Sequence, residues 1–403
     1  MRILHTSDWH LGRSFHSVGM LGPQASYVDH VLDVVEAEQV DLVVVSGDVY
    51  DRALPPVDAV ELADETFSRL AASRASVVVS SGNHDSPSRL GFNSRLADAA
   101  GVHLRTRWQD VGTPVLLEDV HGPVAVHAIP YLEPDAVRTP WRLASRSHEA
   151  ALTEAMARVR ADLDARPGAR SVVLAHAFVA GSPEAAPRMA SDSERDISVG
   201  GLSIVPTSLF SDAHYAALGH LHGAQTLTDS VRYSGSPLAY SFSEVHQTKG
   251  SWLVDLGADG VSSAEFVPAP VPRRLGTVRG RIEDLLTDPR HAGLEDTWLQ
   301  VTITDPHRPS HAMDRLLGRF PHTLMIAFEP EDAVARRGPV LPRVDGRSDL
   351  DVALGFVAEV RNLEATTEEE LLLQLACDSC RVNDDGDADF TVSHADLFGQ
   401  GVG

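Results

Sequence analysis

The sequence predicts a layered α/β protein that carries a small second α/β module and two terminal helices. Short β-branched runs repeatedly end in polar loops: Val43–Ser46 in Gly47-Asp48, Val77–Ser80 in Gly82-Asn83-His84-Asp85, and Val172–Leu174 in Ala175-His176. Amphipathic helical spacing lies between these runs, so buried strands alternate with helices. Pro268-Ala269-Pro270-Val271-Pro272 then interrupts the pattern, which restarts on a smaller scale.

Taken in order, Val28, Val31, Leu32 and Val35 share one helix face, as do Leu152, Met156, Val159 and Leu163. Val124–Ile129 and Val231–Tyr233 read as antiparallel additions. After the proline-rich linker, Leu299, Val301 and Ile303 alternate with polar residues, as do Leu324, Ile326 and Phe328. Met313, Leu316, Leu317 and Phe320 between them have helical spacing. A second break falls at Arg337-Gly338-Pro339. Beyond it Leu350, Leu354, Val357 and Val360 line one helix, and Thr367 with Glu370 predicts a capping box ahead of Leu371, Leu372 and Leu375. The expected divisions are a main domain over 1–267, a module over 268–338, helices over 339–380 and a disordered acidic tail over 381–403.

At 403 residues, 43% hydrophobic and 23% charged, the chain has the composition of a globular, enzyme-sized protein. No aliphatic run is long enough to span a membrane, and the first residues lack the apolar core of a signal peptide. Cys377 and Cys380 are the only cysteines, which excludes a disulfide scaffold and fits a reducing cytoplasm. One CxxC cannot close a four-ligand zinc site, so these two read as incidental residues at a helix end. A net charge of -23 opposes nucleic-acid binding by bulk electrostatics. Lys249 is the only lysine, and every other basic residue is arginine.

Five short elements carry the residue types that bind divalent metals: Asp8-Trp9-His10, Gly47-Asp48-Val49-Tyr50-Asp51, Gly82-Asn83-His84-Asp85, His176, and Gly219-His220-Leu221-His222. Singly, most have an ordinary explanation, although Gly82-Asn83-His84-Asp85 after a buried strand serves no packing purpose. Asp-x-His is a common surface loop, Gly-Asp a common turn, and a lone histidine is usually satisfied within a core. Each of the five nevertheless follows an apolar run. Strand carboxyl ends in an α/β sheet converge on one crevice, so the set can surround a single point. Mixed oxygen and imidazole donors without thiolate favour Mn²⁺, Fe²⁺ or Zn²⁺.

The ordered set resembles the calcineurin-like metallophosphoesterase superfamily, whose pattern is DxH, GDxxD, GNHD or GNHE, H, and GHxH. That resemblance implies a layered β-sandwich flanked by helices. It places one metal on Asp8, His10, Asp48 and His222 and the other on Asp48, Asn83, His176 and His220, with Asp48 bridging. It leaves His84 free to protonate the departing oxygen, with Asp85 orienting it and Asp51 standing behind the first metal.

Further segments, Gly47–Pro56, Ser193–Gly200, Gly219–Gln225 and Tyr233–Glu244, are similar to the SbcCD-type nuclease subunits within that superfamily. This implies a Mn²⁺-dependent 3′→5′ exonuclease and hairpin endonuclease for double-stranded DNA in break processing and recombination, in the cytoplasm with the nucleoid. The implied partner is an SbcC-type coiled-coil ATPase, and a homodimer is implied as well. The chain has no Gly-x-x-x-x-Gly-Lys-[Ser/Thr] loop, so ATP falls to that partner. The module then corresponds to a DNA-capping domain, and Leu350, Leu354, Val357, Val360, Leu372 and Leu375 to partner contacts. Candidate phosphate contacts are Arg13, Arg52, Arg89, Arg188 and Arg195, with Arg273, Arg274, Arg279 and Arg281 entering the module. The alternatives are a phosphodiesterase or phosphatase for small nucleotides and an inactive interaction scaffold. The scaffold should have lost a metal ligand, and none is lost here.

Overall fold

The computed structural model describes residues 1–181, 189, 191, 192, 194, 204–331, 348–361 and 363–383, with backbone alone for 359–361 and 380–383. Arg188, Arg195, the Arg337–Pro339 break, the tail from residue 384 and the side chains of Val360 and Cys380 lie outside the described residues.

The first half of the main domain contains β1 (Arg2–Thr6), α1 (Leu21–Ala37), β2 (Leu42–Ser46), α2 (Val57–Ala71), β3 (Ser76–Ser80), α3 (Pro87–Leu90), α4 (Ser94–Ala99) and β4 (Val102–Arg105). The second half contains β5 (Val115–Asp119), β6 (Gly122–Ile129), α5 (Pro134–Trp141), α6 (His148–Asp164), β7 (Arg170–His176), β8 (Tyr215–Gly219), β9 (Gln225–Thr228) and β10 (Val231–Tyr233). β11 (Gly250–Leu256) and β12 (Val261–Pro268) then return to the first sheet.

Two six-stranded sheets result, ordered β12-β11-β1-β2-β3-β4 and β9-β10-β8-β7-β6-β5. Strands β1 to β4 run parallel, with antiparallel β11 and β12 at one edge. In the other sheet β6, β7, β8 and β10 run parallel, flanked by antiparallel β5 and β9. This corrects the expected orientation of Val124–Ile129 and Val231–Tyr233. Each is parallel to its inner neighbour, and only the outermost strand beside it is antiparallel. The hairpin turn to that outer strand is visible in sequence, whereas the long crossover to the inner one is not.

Strand residues divide by parity between three cores. Leu42 and Val44 face the space between the sheets with Val172, Leu174, Tyr215 and Ala217. Val43 and Val45 face outward with Val28, Val31 and Val35 of α1 and Ala59, Leu62 and Ala63 of α2. Val173, Ala175, Ala216 and Leu218 pack with Leu152, Met156 and Val159 of α6. Being covered on both faces is why these strands read as unbroken apolar runs. The result is a four-layer α/β/β/α sandwich.

The module is β13 (Leu275–Gly280), α7 (Ile282–Thr287), β14 (Trp298–Ile303), α8 (Ala312–Arg319) and β15 (Thr323–Phe328), with all three strands parallel. Of the expected helical face, Leu316 and Phe320 are buried, whereas Met313 and Leu317 are 36% and 38% exposed. Trp298 docks the module on the main domain, in one cluster with Phe15, Met20, Leu238, Tyr240 and Phe242. Its ring lies 5.6 Å from that of Phe15, itself 5.0 Å from Phe242.

Residues 1–331 form one unit and 332–403 a second. The second contains α9 (Asp349–Arg361) and α10 (Thr367–Asn383). The capping box sits one residue earlier than expected: Thr366 N–H donates to Glu369 Oε2 at 3.0 Å, and Glu369 N–H donates to Thr366 Oγ1 at 3.3 Å. Ser348 and Asp351 make the equivalent exchange at the start of α9. Two consecutive threonines left the sequence register ambiguous. Leu350, Leu354 and Val357 are half-buried, while Leu372 and Leu375 are exposed.

Leu174, buried between the sheets, tests the packing. Leu174→Ala is expected to destabilise unit 1 by about 3 kcal/mol, measured by urea unfolding. An effect below about 1 kcal/mol would mean that the intersheet layer is loosely packed.

Candidate metal centre

All five motifs lie at the carboxyl ends of central strands: Asp8 and His10 after β1, Asp48 and Asp51 after β2, Asn83 to Asp85 after β3, His176 at the end of β7, and His220 and His222 after β8. Three of these strands belong to one sheet and two to the other. Face-to-face packing therefore brings the two groups together.

Asp8, His10, Asp48, His176, His220 and His222 are buried, while Asn83 and His84 are half-exposed and form the open side. His10 Nε2 lies 3.1 Å from His222 Nε2. Asp48 Oδ2 lies 3.6 Å from His10 Nε2 and 3.3 Å from His176 Nε2. Asn83 Oδ1 lies 3.0 Å from His176 Nε2 and 3.2 Å from His220 Nδ1. Ligand-type atoms converge in three groups: Asp8 with His10 and His222, Asp8 with Asp48 and His176, and His10 with Asp48 and His84.

These residues fit divalent cations. The His10 and His222 rings meet nitrogen to nitrogen, and His10 Nδ1 is buried without a hydrogen-bond partner. Carboxylate, amide-oxygen and imidazole donors without thiolate are the set that divalent transition cations accept. Burial raises the Asp8 carboxyl to about 6. Burial acts the same way on Asp48, but the neighbouring His176 and His10 reverse it and hold the carboxyl well below its usual range. His176 is pulled down by burial, yet Asp48 lifts it to about 9, while burial lowers His220 to about 3. Asp48, held ionised, belongs to two of the three converging groups, as do Asp8 and His10.

Second hydrogen bonds fix several rings. His176 Nδ1 donates to the Ser46 carbonyl at 2.8 Å, leaving Nε2 directed at Asp48 and Asn83. His84 Nδ1 donates to the Asp51 carbonyl at 2.7 Å, and its ring meets that of His10 edge-on at 4.8 Å. Asp85 does not orient His84. Its carboxylate instead accepts backbone N–H groups from Val49 at 3.1 Å, Tyr50 at 2.9 Å and Gly82 at 2.9 Å, tying the loops after β2 and β3 together. The pairing that the resemblance implied is not made, because these neighbouring residues in a tight loop project apart. Asp51 Oδ1 lies 3.8 Å from His10 Nδ1 and 3.4 Å from Arg13, whose guanidinium stacks over Tyr240 at 5.0 Å.

Of the other arginines, Arg89 donates to the Ala53 carbonyl at 3.2 Å and Arg52 is exposed. Arg273 and Arg281 are paired with Asp296 and Glu331 at 2.6 and 3.1 Å, and Arg279 is paired with Glu329.

The ligand backbones are strained. Asp8, His10, Asp48 and His220 all have positive φ, a conformation uncommon for non-glycine residues and concentrated at functional sites. At Gly82 the constraint is space: a Cβ there would collide with the Asp48 carboxylate.

Sequence reasoning assigned no role to Glu244, Glu194 or Lys249. His222 Nδ1 lies 3.2 Å from Glu244 Oε1, and His222 N–H donates to Glu194 Oε1. Lys249 Nζ lies 2.7 Å from Glu244 Oε2 and donates to the His222 carbonyl at 2.8 Å, Ser236 Oγ at 3.0 Å and Gln247 Oε1 at 2.7 Å. Burial would raise the Glu244 carboxyl, but Lys249 and His222 hold it well below its usual range. A compact ammonium surrounded by acceptors suits this place better than a planar guanidinium. The chain's single lysine was therefore the available signal.

Residues 1–176 match the family model for the calcineurin-like phosphoesterases. The chain is also 28% identical over 357 residues to the D subunit of the SbcCD nuclease of Staphylococcus saprophyticus, covering 87% of this chain and 92% of that protein. Two solved structures align at low similarity. TT1561 of Thermus thermophilus has a TM-score of 0.40, 13% identity and coverage of 66% of this chain and 98% of that one. GAP50 of Plasmodium, an anchor in the inner membrane complex, has a TM-score of 0.36, 10% identity and coverage of 85% and 99%. At those scores neither carries weight. The family match and the curated relative bear out the metallophosphoesterase resemblance, and the mixed α/β sheets bear out its fold class.

Two substitutions test the centre. Gly82→Ala is expected to displace Asp48 and lower metal occupancy, measured by elemental analysis, with the fold retained by circular dichroism. Lys249→Met leaves Glu244 buried without its cation. It is expected to cost about 3 kcal/mol of stability and roughly tenfold or more in metal affinity by calorimetry. Unchanged metal affinity would confine Lys249 to packing.

Proposed function

We propose that this chain is the nuclease subunit of a two-metal, DNA-cleaving phosphodiesterase. The observation that carries this reading is the convergence of Asp8, His10, Asp48, His176 and His222 from two sheets, with Asn83 and His220 bonded onto the group and His84 on the open side. Asp8, His10, Asp48 and His222 would hold one divalent cation, and Asp48, Asn83, His176 and His220 the other; the donors suit Mn²⁺, Fe²⁺ or Zn²⁺, and the family resemblance favours Mn²⁺. When bound, such a pair supplies Lewis acidity to the phosphate and to water. His84 Nδ1 is engaged by the Asp51 carbonyl, which leaves Nε2 to bond the phosphate and deliver a proton to the departing sugar oxygen. Asp85 holds the loop that presents His84, and Arg13 is held beside the first site by Asp51 and the Tyr240 ring.

Nuclease activity within a two-subunit assembly is supported by similarity to the D subunit of the SbcCD nuclease. A double-stranded DNA substrate, 3′→5′ polarity, hairpin opening, a part in break processing and recombination, and a cytoplasmic, nucleoid-associated location complete the proposal and rest on the motif resemblance alone. Among the described residues no helix is long and apolar enough to cross a membrane. Arg273, Arg279 and Arg281 of the module are neutralised by acidic partners, so much of the DNA affinity belongs to a complex with an SbcC-type coiled-coil ATPase, which handles ATP. Exposed Phe356, Leu371, Leu372 and Leu375 on α9 and α10 supply an apolar surface for that partner. A second copy is proposed to cover the exposed apolar residues Leu54, Val57, Phe92 and Leu96, which lie on or beside α2 and α4.

The test is Mn²⁺-dependent digestion of end-labelled duplex and hairpin DNA, with and without the ATPase and ATP. Shortened duplexes and opened hairpins are expected. His84→Ala should retain both metals while losing roughly 10²- to 10⁴-fold in rate. Loss of metal instead would make His84 a ligand. Hydrolysis of cyclic or mononucleotides with DNA left intact would favour the small-nucleotide enzyme.

A further inference from the structure

A cavity of about 550 Å³ opens beside Asn83, lined among others by Arg107, Trp108, Gln109, Tyr131 and Glu133. Its walls are the loops that follow β3, β4 and β6, and hydrogen bonds tie them together. Tyr131 N–H donates to the Ser81 carbonyl at 2.8 Å, Ser81 Oγ to the Thr106 carbonyl at 3.1 Å, and Thr106 Oγ1 to the Pro87 carbonyl at 2.7 Å. The half-buried Trp108 ring is held edge-on to Trp141 at 5.8 Å, and Arg158 lies 4.6 Å over the Trp141 ring. Tyr131 meets the His176 ring at 6.3 Å and that of His148 at 5.4 Å. The recess is therefore preformed, aromatic and adjacent to a candidate metal ligand.

We propose that this cavity is a subsite for one unstacked nucleobase, that of a nucleotide adjoining the scissile phosphate. The proposal rests on the DNA reading above. The Trp108 and Tyr131 rings offer faces for stacking, which is tolerant of base identity. The Gln109 amide and Glu133 carboxylate can meet polar edges of a base, and the exposed Arg107 can meet the flanking phosphate. A base paired within a duplex cannot enter such a recess, so cleavage requires local unpairing. Frayed ends and hairpin tips supply it at least cost.

The metal-loaded full-length chain, with its ATPase partner, should be given hairpins that carry a single abasic residue on one side or the other of the cut bond. An abasic residue at one of these positions is expected to slow wild-type cleavage roughly tenfold. In Trp108→Ala that difference should disappear, and the rate on intact hairpin relative to methyl p-nitrophenyl phosphate should fall. Gln109→Ala, on the exposed rim, should shrink the same difference and guards against a folding defect in the tryptophan variant. Equal wild-type rates on intact and both abasic hairpins would overturn the subsite while leaving the DNA reading intact. Hydrolysis of the small diester with no cleavage of any hairpin would overturn both.

Discussion

Two carboxylates and four imidazoles are held out of water where two β-sheets meet, and the surrounding structure keeps them there. Burying so many ionisable groups without compensation is strongly unfavourable. The protein offsets it partly through internal pairing, most clearly between Asp48 and His176. At His10 the pairing is incomplete, because Nδ1 is buried without a hydrogen-bond partner. The same convergence of carboxylates and imidazoles is what suits the site to divalent cations.

The sandwich is what makes such a site possible. Strands buried on both faces fix the height at which each loop begins, and side chains from opposite sheets then meet with little freedom. The remaining adjustment is local. Four ligand residues adopt positive φ, Gly82 has no side chain to block the approach of Asp48, and Asp85 directs its carboxylate to three backbone amides. Behind His222 a line of opposite charges, Glu244 then Lys249, fixes the ring from the side away from the site.

This arrangement also relates the module to the site. Trp298 packs on the cluster that includes Tyr240 and Phe242, and Tyr240 touches the rings of both His10 and His222. Movement of the module on the main domain would therefore be felt by residues bordering the metal ligands. In an acidic chain whose module arginines are largely committed to acidic partners, such packing is a more direct link to the site than long-range charge.

The parity of Leu42 to Val45, the helix faces of α1 and α6 and the five polar motifs were all legible in the sequence. They are local properties, set by side-chain periodicity and by the need for a loop after each buried strand. The register of Thr366 and Glu369, the parallel inner pairing of β6 and β10, and the use of Asp85 were not legible, because neighbouring residues offered equivalent choices that only packing separates. Nor could the sequence assign Glu244 or Lys249 to His222, since residues 22 and 27 positions away meet it only once β11 has returned to the first sheet. The sequence by itself determined which donors exist and that each stands at a strand end. Tertiary structure decided which donors face one another and what holds them, because the distances between strands of opposite sheets are set by side-chain packing across the layer and are encoded in no single segment.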